Sequence, residues 1–96
     1  MTTYDAAEAF CLGRSWRLRL RPADSRWLIR LAVEQLPPGP VCESAGRALA
    51  GELRSSLAAS VRARYASPLV VWVLLNVVVP IVVRLVIEWW LRRKEA

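Results

Sequence analysis

Residues Leu69–Trp90 read LVVWVLLNVVVPIVVRLVIEWW, and this stretch decides what kind of chain this is. Twenty-two residues rising about 1.5 Å each cover about 33 Å, close to the roughly 30 Å hydrocarbon core of a bilayer. Its nine valines suit a strand, but a strand of this length is abnormal, and in lipid only a helix satisfies a single segment's backbone. The flanks fit membrane interfaces: Tyr65 precedes the segment, and Trp89, Trp90, Arg92, Arg93 and Lys94 close it as aromatic and basic anchors. The sequence therefore predicts a single C-terminal transmembrane helix over residues 67–91, with a basic tail at 92–96.

Four residues interrupt the apolar run: Asn76, Pro80, Arg84 and Glu88, each four after the last. On a helix they form one slowly drifting stripe, with Val, Leu and Ile elsewhere. Pro80 has no N–H for the carbonyl of Asn76, which predicts a kink. The Asn76 amide suits a hydrogen bond to another helix. Arg84 and Glu88 form an i,i+4 pair, each costing about 2.5–3.5 kcal/mol if left unpaired at mid-membrane. Two readings follow. The stripe faces protein, either copies of itself or another subunit, or Arg84 snorkels to the headgroups and the pair only trims the helix end.

Outside this segment the chain is short. Residues 1–66 make a basic, mostly helical region expected on the cytoplasmic side, a stretch too small to bury much surface alone. Residues 3–12 read as a short helix capped at Thr2 and stopped by Gly13. Residues 14–21, RSWRLRLR, alternate strictly and match a short strand, unless tertiary context makes them helical. A helix capped by Asp24 or Ser25 runs to about Leu36, and the prolines at 37–40 break it. A longer one starts near Glu43, with Leu49, Leu53, Leu57, Val61 and Tyr65 recurring every four residues. The expected fold is mainly α.

Charge adds a second candidate surface. The chain carries a net charge of +6, and all its basic residues except Lys94 are arginine. Arg14, Arg17, Arg19, Arg21, Arg26 and Arg30 interleave with Trp16 and Trp27. This pattern suits anionic lipid headgroups, a solvated face over a small core, or, less well for want of any motif, nucleic acid. Arginines and lysine are balanced across the apolar segment, so the positive-inside rule does not orient it. Thr2, Thr3, Tyr4, Asp5 and Glu8 do not make a signal peptide, which favours a tail-anchored arrangement in a bacterial inner membrane.

Catalysis is disfavoured. There is no histidine, and Asp5, Glu8, Asp24, Glu34, Glu43 and Glu52 form no paired arrangement. Cys11 and Cys42 lack metal-binding spacing and read either as reduced thiols or as one disulfide. No catalytic residue, metal or cofactor is expected. The function classes left are a non-enzymatic accessory, assembly or anchoring subunit working by helix–helix contact, a self-oligomerising membrane-permeabilising protein or toxin-like effector, and a membrane-tethered nucleic-acid binder. A single span with a charged end resembles the layout of holins.

Overall fold

In the computed structural model, which describes residues 3–37 and 43–95, every regular element is helical and no strand occurs among the described residues. Helix α1 covers Thr3–Arg14, and a 3-10 turn covers Trp16–Leu20. Helix α2 spans Pro22–Glu34 and helix α3 spans Glu43–Arg64. The C-terminal helix follows as three joined pieces: α4 (Pro68–Val73), a π turn (Leu74–Val78) and α5 (Val79–Glu95).

The strand read at residues 14–21 is corrected to the 3-10 turn, and local hydrogen bonds explain why. The Leu18 N–H donates to the Ser15 carbonyl at 3.2 Å, and the buried Ser25 hydroxyl donates to the Leu18 carbonyl at 2.7 Å. With no second strand to pair with, the backbone closes on itself and on α2. Leu18 enters the core while Trp16 and Leu20 stay exposed. Of the alternating apolar side chains only Leu18 is buried, so the alternation does not mark two faces in the tight turn. Helix α2 also starts earlier than read, because Pro22 occupies its first turn, where a missing N–H costs nothing.

Ser67 caps the C-terminal helix by accepting from the Val70 N–H, with Pro68 at the first helical position. The expected kink at Pro80 takes the form of the π turn: the Val79 N–H reaches the carbonyl of Leu74, five residues back. Widening the turn relieves the clash that a proline ring makes with the carbonyl four residues earlier.

Helix α5 packs against α1, α2 and α3 and forms the centre of the core. Val82, Val83, Val86 and Trp90 are buried there, together with Leu28, Ile29 and Ala32 of α2 and Ala7 and Cys11 of α1. The α3 repeat read from sequence supplies its buried face through Leu49, Leu53, Leu57 and Val61. The helix Pro68–Arg92 is long and apolar enough to cross a membrane, and 39% of its most apolar window is buried inside the chain. Its start is the least covered part: Leu69 is 72% and Trp72 59% exposed.

Candidate functional site

Three members of the Asn76–Glu88 stripe, Asn76, Pro80 and Arg84, border α3 of the same chain. Asn76 and Pro80 line an open groove of about 300 Å³ with Arg54, Ala58 and Arg62 of α3. Arg84 lines a second groove of about 310 Å³ with Gly46, Arg47, Ala50 and Arg54. Arg54 belongs to both, so the two grooves are neighbours along one helix–helix seam. Gly46, Ala50 and Ala58 keep the α3 side of the seam low, and Leu75, Val83 and Ile87 give its other wall an apolar character.

Each stripe residue has a distinct environment. The Asn76 amide donates to the Trp72 carbonyl at 2.8 Å, one turn back on its own helix. Pro80 is half-buried against the seam. Arg84 is exposed and makes no ion pair among the described residues. Glu88, expected opposite Arg84, pairs instead with Arg92 at 3.0 Å and with Arg14 of α1 at 3.4 Å. Helix geometry favours that choice, since Glu placed four residues before a basic partner is the better orientation.

Of the expected interface anchors, Trp90 is only 2% exposed and sits in the core, and Trp89 is half-buried. The Tyr65 hydroxyl donates to Asp24, and its ring meets that of Trp27 edge-on with centroids 6.0 Å apart. Arg92 is exposed; the side chains of Arg93 and Lys94, like Cys42, Thr2 and residues 38–40 of the proline break, lie outside what the structure describes.

The arginine-rich segment 14–30 divides into paired and unpaired members. Arg14 pairs with Glu88, Arg21 with Asp24 at 2.5 Å and Arg30 with Glu8 at 2.6 Å. Arg17, Arg19 and Arg26 are exposed and without an ion pair among the described residues, and Arg17 lies over the Trp16 ring at 5.4 Å. Trp27 is covered by the Arg64 guanidinium, 4.3 Å from its ring centroid. Within the segment Arg14 and Arg30 thus tie helices together, while Arg21 pairs locally at the start of α2.

Two titrating groups report these ties. Burial opposes ionisation of Asp24, but hydrogen bonds from Tyr65 and Arg21 and the charges of Arg21 and Arg64 outweigh it and hold the carboxyl below its usual range. Burial pushes the Cys11 thiol up to about 12, helped by the nearby charge of Glu88. A thiol so placed is neutral and a poor nucleophile. No group of three or more Cys, Asp or Glu side chains able to hold a metal occurs among the described residues.

What sequence reasoning missed is the row of α3 arginines. Arg47 and Arg54 stand seven residues apart, hence on one flank of the helix, a spacing visible in the sequence. Their meeting with Arg84 depends on how α3 docks on the C-terminal helix, which no local pattern specifies. No known protein family, curated protein or solved structure matches the chain.

Proposed function

We propose that the chain is a small, non-enzymatic membrane protein whose C-terminal helix is the membrane-binding element and whose helices α1–α3 serve as docking surfaces for partner subunits. The observation that carries this reading is the apolar helix Pro68–Arg92, which its own chain covers over only 39% of its most apolar window. Leu69 and Trp72 at its start stand in solvent otherwise, and burying apolar area is worth about 25 cal/mol per Å². A tryptophan at such a position suits the headgroup boundary, where a ring with one polar edge is stable.

A full crossing in this reading requires α1–α3 to part from Val79–Trp90, because α2 and α3 carry the exposed charges Arg26, Arg30, Glu34 and Glu52, which lipid does not solvate. The closed arrangement is then the form at the membrane surface, with the exposed start of the helix inserted. The direct test expresses the full chain and fractionates cells with a high-salt and then an alkaline carbonate wash. Retention in the pellet after both washes is the expected result, and recovery in the soluble fraction overturns the proposal. Purification in mild detergent then identifies co-purifying chains. A heteromeric complex supports the accessory role; a homo-oligomer whose expression collapses the membrane potential points to a permeabilising protein instead.

A further inference from the structure

We propose that the seam between α3 and the C-terminal helix binds the phosphate headgroups of anionic phospholipids, so that this face of the molecule lies on the bilayer. The inference rests on the membrane reading above and names the lipid chemistry it uses.

Charge pairing is the first support. Arg14, Arg21, Arg30 and Arg92 each have a carboxylate partner. Arg47, Arg54, Arg62 and Arg84 line the seam, and among the described residues they have no ion pair and no Asp or Glu lines either groove. The chain's excess of positive charge, +6 in all, thus has a concentrated, unneutralised row here. Guanidinium groups match phosphate through paired N–H donors, and they tolerate partial desolvation better than ammonium.

The shape of the seam selects among anions. From Arg47 to Arg62, fifteen residues of α3 cover about 22 Å, which suits a surface bearing many phosphates better than a single bound ion. Leu75 and Ile87, both partly exposed, lie beside the arginines. That mixture lets apolar side chains meet acyl carbon while the longer arginines reach headgroups, as on an interfacial helix. A nucleic acid fits less well. Its single strands are held by stacking on aromatic rings, and neither groove has an aromatic lining residue.

The test uses the full chain with vesicles of phosphatidylcholine alone and of a phosphatidylcholine–phosphatidylglycerol mixture. Binding should rise on adding phosphatidylglycerol and fall with salt. Each arginine near an anionic surface is worth about fivefold in partition, so Arg47→Gln/Arg54→Gln/Arg62→Gln should lose about 100-fold of that rise. The matched variant Arg17→Gln/Arg19→Gln/Arg26→Gln, which removes three unpaired arginines elsewhere, should keep it. Circular dichroism checks that both triple variants remain helical. Equal losses in both variants, or no loss in the seam variant, overturn the proposal. So does loss of oligonucleotide binding by the seam variant with vesicle binding unchanged. Equal binding to both lipid mixtures sinks the headgroup assignment alone, whereas no binding to either vesicle sinks the membrane reading as well.

Discussion

The carboxylate of Glu88 is shared between two helices: Arg92 on its own helix reaches it at 3.0 Å, and Arg14 of α1 at 3.4 Å. The pair closes α1 onto α5 beside Cys11, but Arg14 and Glu88 keep 41% and 34% of their side-chain surface exposed. Solvent screening therefore limits the bridge to a fraction of its Coulomb energy. Glu88→Gln is expected to lower stability by about 0.5–1 kcal/mol, an effect that shrinks in high salt. Urea unfolding at low and high ionic strength measures both. A loss that persists at high salt would assign Glu88 a packing role instead.

A second tie joins the start of α2 to the end of α3 through Asp24, Tyr65 and Arg21. Because the folded carboxyl titrates below its unfolded value, its contribution is complete above the unfolded pKa of about 3.9 and disappears as pH falls through the folded value. Tyr65→Phe should cost about 1–2 kcal/mol near neutral pH and should flatten the acid limb of the stability profile. Urea midpoints collected down the acid range give the comparison. Parallel profiles for the two proteins would mean that Arg21 alone holds the carboxylate.

How much of this was legible beforehand depends on the range of the interactions involved. The α3 face of Leu49, Leu53, Leu57 and Val61 was readable because burial follows a helix period. The apolar helix was readable from length and composition. At 14–21 the helical alternative to a strand holds, because Ser25, seven residues beyond Leu18, supplies the hydrogen bond that fixes the turn. The basic partner of Glu88 is not legible locally, because Arg84 and Arg92 are equally spaced from it and Arg14 arrives only through tertiary packing. The seam arginines were invisible as a group for the same reason, lying on two helices whose docking is set by the whole core.

Burial of Cys11 in the α1 face of that core has a chemical consequence. With its thiol pushed up to about 12, the folded chain keeps a proton there that the unfolded chain releases near pH 8.5. The stabilising contribution is therefore intact below about pH 8.5 and is lost progressively as pH rises toward the folded value. In a Cys42→Ser background, iodoacetamide should alkylate Cys11 only at the rate of opening, and at near-normal thiol rates in denaturant. Fast alkylation of the native protein near pH 8 would show that α1 leaves the bundle readily. Adding Glu88→Gln should lower the thiol's pKa modestly, since burial is the larger cause.

Pro80 sets the geometry by which the exposed start of the C-terminal helix leaves the bundle. Without an N–H it leaves the Asn76 carbonyl unpaired by the usual rule, and its ring crowds that same oxygen. The wide turn over Leu74–Val78 accommodates both, with Val79 bonding back to Leu74 and the Asn76 amide bonding to the Trp72 carbonyl. Restoring an N–H by Pro80→Ala removes the reason for the extra residue in the turn. The π turn should then contract to α geometry, turning Leu69 and Trp72 by about 100° relative to α5. Backbone chemical shifts over 74–80 and the exposure of Trp72 to a fluorescence quencher report the change. A persisting Val79–Leu74 hydrogen bond would mean that the core packing of Leu74 and Val78, both buried, holds the turn open without the proline. In that case the wide turn already accommodates position 80, and the same substitution should raise stability by well under the roughly 3 kcal/mol by which alanine exceeds proline within a regular helix.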